Sequence, residues 1–450
     1  MQPLKGFSAV FLTCAVLLCN GVAQAIDTTF GERVVGDWQG KIQPIGMAVV
    51  IHFKMAEDKS YKGALDSPSQ NAFGLVFNQV EIHDDEVTAK CEKPVFSFHG
   101  KYDNKTDSLV GTWSQSGQTL NLTLTRGSAS FSRSQEPKPP FPYESKDVSF
   151  QSKDNVMLAG TVTTPIGAGP YHAVVLVSGS GPNTRDEPIF GHKPFLLLAD
   201  WLSRHHIIVL RYDKRGTGKS TGDYSAAKMS NFADDASAAV EFISKYSNVD
   251  PRKIGLLGHS EGGDVAPMVA SRRTDINFVA MLAGPVATGY EILKSQYQYA
   301  FPDSTTRNMQ LSILEEVRTN KDTAKLKEKV SGILRASGAS DELIAKAMTQ
   351  LTSPWFADFV AYDPAPTLKS LTCPVLAIYG ENDVQVPVKL NGPLINAIAA
   401  LNKNITVVVV PKANHLFQES KTGAPIEYGE IEQTMSPAVL ERLSSWISQQ

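Results

Sequence analysis

Two patterns of apolar and polar residues divide the chain. Over 26–133, short alternating runs are broken by Gly, Asn and Asp, among them Met47-Ala48-Val49-Val50-Ile51-His52-Phe53, Phe96-Ser97-Phe98-His99-Gly100 and Leu120-Asn121-Leu122-Thr123-Leu124-Thr125. Alternation of period two, rich in β-branched and aromatic residues, predicts strands with one buried face. No helical run interrupts them, so this stretch predicts a small all-β sandwich or barrel. The segment 134–144 then carries Pro137, Pro139, Pro140 and Pro142. Prolines so dense cannot continue a strand or a helix, and they mark a linker between two domains.

From 145 to 450 the pattern changes. Unbroken apolar runs at 173–177, 207–210, 254–257, 278–282, 375–379 and 405–410 alternate with segments of helical period. Phe232, Ala236, Ala239, Val240 and Ile243, for example, share one helical face. Continuous apolar strands are what a parallel sheet covered on both faces requires, so this half predicts a doubly wound α/β domain. Ligands then belong beyond the carboxyl ends of the strands. A helical, more polar excursion over about 286–365 separates the run at 278–282 from that at 375–379. It is longer than a crossover needs and predicts a cap over the site.

Composition narrows this further. The 450 residues are 42% hydrophobic and 20% charged, as in a folded globular protein. A net charge of −3 gives no basic footprint for nucleic acid. At the N-terminus, Lys5 precedes an apolar stretch at 7–18 and then Ala23-Gln24-Ala25. That layout predicts a signal peptide over 1–25, a periplasmic or secreted mature chain, and no integral membrane segment within it. Bulky Leu18 before Cys19 argues against a lipid anchor there. Cleavage leaves Cys91 and Cys373, in different predicted domains, which read more simply as two free thiols than as a disulfide.

The chemistry concentrates at strand ends. The run at 254–257 leads into Gly258-His259-Ser260-Glu261-Gly262-Gly263, followed by a helical pattern. Gly-x-Ser-x-Gly between a strand and a helix makes a tight turn that lifts the serine hydroxyl above the sheet. A serine needs a base to take its proton, and the chain has nine histidines. His52, His83 and His99 lie in the β-domain; His172, His205 and His206 precede their strands. His259 shares the elbow and is expected to point away from the serine, and His192 lies in a loop that precedes it. His415, directly after the last strand, remains. For the acid that orients it, Asp383 and Glu381 both follow the strand at 375–379, and the shorter Asp383 is preferred. Two amides are needed for the oxyanion: Glu261 N–H, and Ser180 N–H in Ser178-Gly179-Ser180-Gly181-Pro182, with Gly179 as the alternative. Arg185-Asp186-Glu187 either lines the entrance or forms a solvated loop.

Other patterns fail. Gly216-Thr217-Gly218-Lys219-Ser220 ends like a phosphate loop, but Asp213 stands where its first glycine belongs, and Thr221 stands where a dinucleotide motif needs one. The segment 211–220 reads instead as a strand-end turn. No histidine or cysteine spacing suggests a metal site, and no cofactor is implied.

With these residues in view, the chain resembles the bacterial α/β-hydrolases called esterases or serine aminopeptidase-like hydrolases. The resemblance rests on Ser178-Gly179-Ser180-Gly181-Pro182, the 211–220 turn, Gly258-His259-Ser260-Glu261-Gly262-Gly263, Gly380-Glu381-Asn382-Asp383 and Asn414-His415. It covers 145–450 and reaches the β-domain only weakly. It implies an eight-stranded, mostly parallel sheet with a helical cap, and a carboxylesterase of short acyl chains acting on small-molecule esters. A peptidase of the same fold is the second reading. It needs an acidic anchor for the substrate's amine, for which Glu187, Glu261 or Asp264 stand available, although Glu261 and Asp264 are as readily explained by solvation or by pairing with Arg272. A non-catalytic envelope-binding protein is the third. The β-domain reads most simply as a structural or homodimer-forming module, with a ligand-holding barrel as the alternative.

Overall fold

The computed structural model describes residues 28–67, 72–115, 117–127, 133–320 and 322–450. The expected signal peptide lies outside them. Among the described residues no helix is long and apolar enough to cross a membrane.

The period-two half forms one antiparallel sheet. Its strands are β1 Gly36–Gln43, β2 Met47–Met55, β3 Tyr61–Ser67, β4 Ala72–Val76, β5 Gln79–His83, β6 Glu86–Glu92, β7 Val95–Asp103, β8 Ser108–Gln115 and β9 Gln118–Arg126. They lie in the order β4-β3-β2-β1-β9-β8-β7-β6-β5. The sheet curls on itself, because past its edge strand β4 the chain returns to β3 and β6. There Phe77 N–H donates to Gly63 O at 2.9 Å and Asn78 N–H to Lys90 O at 2.8 Å. The alternation predicted from the sequence puts Trp38, Ile51, Phe53, Leu65, Phe98, Trp113 and Leu124 on the inner face, all buried. These large side chains fill the interior, so the curled sheet is a packed core rather than a ligand-holding barrel.

The strap between the two halves is tied down rather than loose. Arg133 donates to the carbonyls of Ile431 at 2.9 Å, Gly429 at 2.8 Å and Phe190 at 3.0 Å. Gln135 Oε1 accepts from Thr434 N–H and Met435 N–H, and its Nε2 donates to Met435 O.

The second sheet comprises β10 Tyr143–Gln151, β11 Met157–Pro165, β12 Tyr171–Val177, β13 Ile207–Tyr212, β14 Val249–His259, β15 Phe278–Leu282, β16 Val375–Gly380 and β17 Ile405–Val410. Its order is β10-β11-β13-β12-β14-β15-β16-β17. The first two strands join antiparallel and the rest are parallel. Helices Pro194–Arg204 and Pro437–Ile447 pack on one face. Met229–Ile243, Gly262–Ala270 and Val388–Leu401 pack on the other. This is the doubly wound α/β-hydrolase sheet. The strand-order reversal about β12 puts the site above β12, β14 and their neighbours.

Between β15 and β16 the chain makes helices Gly289–Ala300, Ser304–Thr319, Thr323–Ala336, Asp341–Leu351, Pro354–Ala361 and Ala365–Ser370. The first five start on Thr288, Asp303, Asp322, Ser340 and Ser353, whose side chains accept from first-turn amides. Ile313, Leu314, Val317, Leu326, Val330, Ile344, Met348, Phe356 and Val360 give this insertion a core of its own.

Candidate active site

The elbow is built by glycines. A methyl group on Gly258 would lie 1.9 Å from Gly262 O, one on Gly262 1.9 Å from Val177 O, and one on Gly263 2.5 Å from Gly284 Cα. Only residues without Cβ let the helix Gly262–Ala270 start this close to β12 and β14. Between them Ser260 is held at φ +53°, a left-handed conformation costly for an L-residue. Its N–H is fixed on Leu282 O at 2.9 Å. Among the described residues its half-buried hydroxyl makes no hydrogen bond, so it stands free for a substrate.

His415 follows β17 in a tight loop closed by Asn414, whose Oδ1 accepts from Leu416 N–H and Gln418 N–H. His415 Nδ1 meets Asp383 Oδ2 at 2.8 Å, both residues being buried. The other oxygen, Asp383 Oδ1, accepts from Gln385 N–H at 2.8 Å and Val386 N–H at 2.9 Å. These two amides fix the carboxylate in the turn after β16. Glu381, the alternative acid, faces outward and accepts from Lys412 N–H. The structure thus brings Asp383, not Glu381, to His415.

His259 joins this network. It turns toward the histidine loop: its ring lies 4.9 Å from that of His415, with Nε2 3.1 Å from His415 O. On its other side Nδ1 lies 3.1 Å from Glu187 Oε1. Burial opposes its protonation, yet the Glu187 carboxylate and the His415 carbonyl together hold its pKa above the ordinary value. His192 is buried against Thr434 Oγ1, Tyr428 O and Gln418. Burial pushes its pKa down to about 4.

The loop after β12 separates the two oxyanion candidates. Gly179 N–H already donates to Glu187 Oε1 at 2.6 Å. Ser180 N–H and Glu261 N–H have no acceptor among the described residues. Gly179 packs on the elbow, since a methyl on it would lie 3.2 Å from Ser260 Cβ.

The charged residues nearby are not solvated. Glu261 is buried, with Oε2 3.0 Å from Lys214 Nζ and Oε1 accepting from Trp355 Nε1 of the helix Pro354–Ala361. Asp264 is also buried and does not pair with Arg272, which faces Asp234 instead. Burial and the neighbouring Glu261 charge hold its carboxyl well above the usual range. The 185–187 loop is pinned as well: Arg185 pairs with Asp213 at 2.9 Å, Asp186 with Arg211 at 2.7 Å, and Glu187 is buried. Sequence reasoning missed these pairings because each joins residues far apart in the chain. The 211–220 segment is a strand-end turn, in which Asp213 Oδ2 accepts from Lys219 N–H and Ser220 Oγ donates to Asp213 O.

A serine on a glycine elbow, with a histidine–aspartate pair delivered by the last strand ends of a doubly wound sheet, defines an α/β-hydrolase. Residues 193–420 match the family described as Serine aminopeptidase, S33, and the chain belongs to that family. It is 29% identical to Esterase EstD of Thermotoga maritima over 373 residues, 82% of each chain. It is 26% identical to the bifunctional esterase/perhydrolase DCH of Acinetobacter calcoaceticus over 284 residues, 57% of this chain and 92% of that one. Among solved structures, the esterase Pf2001 of Pyrococcus furiosus superposes with a TM-score of 0.43 at 17% identity, covering 68% of this chain and 91% of the other.

Proposed function

We propose that this chain is a serine carboxylesterase that hydrolyses short-chain acyl esters through an acyl-enzyme on Ser260. The observation that carries the reading is the 2.8 Å contact between His415 Nδ1 and Asp383 Oδ2, on a loop bonded to the residue preceding Ser260. With Nδ1 held as the N–H by a carboxylate, Nε2 is left as the base. Ser260 Oγ attacks the ester carbonyl as His415 takes its proton. The tetrahedral oxyanion collapses with that proton passed to the leaving alkoxide, and water then reverses the sequence to free the acid. Glu261 N–H and Ser180 N–H receive the oxyanion. The chemistry needs no cofactor. The relatives named esterases support an ester substrate.

A peptidase taking free amino termini requires an anionic anchor, and the carboxylates once available for it are committed. Lys214 and Trp355 occupy Glu261, Gly179 and His259 engage Glu187, and Asp264 is held toward its neutral form. This favours the ester. The chain further reads as periplasmic or secreted, and mass spectrometry of the exported protein is expected to find Ile26 as its first residue.

The test is hydrolysis of p-nitrophenyl esters from acetate to decanoate beside aminoacyl-p-nitroanilides, for the wild type and Ser260→Ala. Turnover of the short esters that vanishes in the variant supports the reading. Anilide turnover without ester turnover puts the peptidase first. No turnover and no labelling by a fluorophosphonate sinks the triad.

A further inference from the structure

The carbonyl oxygen of Gly179 and the N–H of Ser180 belong to one planar trans peptide, so they point in opposite directions. Whatever grips the oxygen therefore aims the N–H. Lys214 Nζ donates to Gly179 O at 2.6 Å, and Asn183 Nδ2 donates to the same oxygen at 2.9 Å. The opposite end, Ser180 N–H, is left without an acceptor among the described residues, beside a glycine packed on Ser260. Lys214 itself is buried, with its Nζ 4.5 Å from the Phe232 ring centre. Its counter-charge is Glu261 Oε2 at 3.0 Å, from the residue whose own amide is the second oxyanion donor.

We propose that Lys214 is a positioning residue of the oxyanion hole. It holds the Gly179–Ser180 peptide with its N–H toward the substrate carbonyl, and its charge polarises that peptide. A cation on the carbonyl oxygen draws electron density toward it through the conjugated amide, leaving the N–H more positive and a stronger donor to a developing oxyanion. The neutral Asn183 amide helps to aim the peptide without supplying that charge. Because Lys214 is itself buried, its charge is screened less than one at the surface. The inference rests on the assignment of Ser180 N–H and Ser260 made above.

The test uses two variants of the full chain. Lys214→Gln removes the charge while leaving an amide to face Gly179 O. Lys214→Met with Glu261→Gln removes both charges, so that no carboxylate is buried alone. For each, kcat and KM on a p-nitrophenyl ester are compared with the inhibition constant of an alkylboronic acid, whose serine adduct is a tetrahedral anion. In either variant kcat is expected to fall about 10- to 100-fold, with KM within about threefold and the boronate constant rising in step with the loss of kcat. A folded variant of either kind that keeps wild-type kcat and boronate affinity overturns the proposal. So does a loss confined to KM or to thermal stability. Ser260→Ala separates the two failures: if it still hydrolyses the ester, the serine reading falls and this inference with it. If it is inactive while the Lys214 variants remain fully active, only the role of Lys214 falls.

Discussion

At the scale of single residues, the acid is decided by two backbone amides. Gln385 N–H and Val386 N–H hold Asp383 Oδ1, which leaves Oδ2 for His415. Asp383→Asn keeps the shape but presents an amide where the imidazole needs an acceptor, favouring the wrong tautomer. Its kcat on a p-nitrophenyl ester is expected to drop by on the order of 10³–10⁴ with little change in KM. Glu381→Gln, which alters only an exposed contact with Lys412 N–H, is expected to stay within about twofold. Steady-state kinetics on the pair checks the choice. The sequence favoured Asp383 as a short carboxylate deeper in the turn, and the amides that position it are a property of the folded turn. His259 shows the opposite limit. Its partners Glu187 and His415 lie 72 and 156 positions away, so no local pattern reveals that it supports the histidine loop.

Burial at this scale also sets a pH dependence. An unfolded imidazole takes its proton near pH 6.5, but His192 in the fold takes one only near pH 4. The unfolded state therefore binds the extra proton first. The contribution of His192 is intact above about pH 6.5 and is lost as the pH falls toward 4, by up to about 3 kcal/mol. His259, with its raised pKa, works in the other direction. Urea unfolding of the wild type and His192→Gln at pH 7.5 and pH 5 isolates the first group. The wild type is expected to lose more stability on acidification than the variant, and equal losses would remove His192 as the cause.

Among the elements, those that carry an unbroken apolar run were readable and those without one were not. The six continuous apolar runs correspond to β12–β17; β12–β16 are covered on both faces, whereas β17 ends the sheet with Thr406 and Val409 exposed and was readable from its run of valines. β10 was missed because it lies at the edge of the sheet, and Glu144, Ser145, Lys146 and Asp147 leave it no apolar run. The cap was visible as a helical, polar insertion. What the pattern cannot give is the face it turns to the site, and Trp355 reaching Glu261 is the part of that answer the structure supplies. Trp355→Phe keeps an aromatic ring against Phe359 but deletes the donor to a buried carboxylate. It is expected to cost about 1–3 kcal/mol in urea unfolding. Elbow positions are less forgiving: a Gly262→Ala methyl would meet Val177 O at 1.9 Å, and loss of soluble folded protein is expected on expression.

For the whole molecule, the proline segment marked the change of pattern, but proline density says nothing of how firmly the two halves are joined. The strap is gripped where the chain turns back over the hydrolase sheet. Arg133 bridges the loops at 190 and 429–431. Between those carbonyls and the acid stand few links: Tyr428, next to Gly429, accepts from Gln385 Nε2 at 3.0 Å, and Gln385 N–H bonds Asp383. A half-buried guanidinium that serves several carbonyls is replaced poorly by an apolar chain, since each carbonyl loses its donor where water has limited access. Arg133→Met is therefore expected to destabilise the protein by at least about 2 kcal/mol and to lower kcat several-fold through the displaced 428–431 loop. Another contact between the halves, Lys41 with Glu430 at 3.0 Å, is exposed on both sides. Lys41→Ala is expected to change stability by less than about 1 kcal/mol and to leave kcat unaltered. Urea unfolding and ester kinetics on the two variants separate a strap that supports the site from one that only joins two folded halves. If Arg133→Met loses stability but keeps wild-type kcat, the β-domain is held to the hydrolase without bearing on its chemistry.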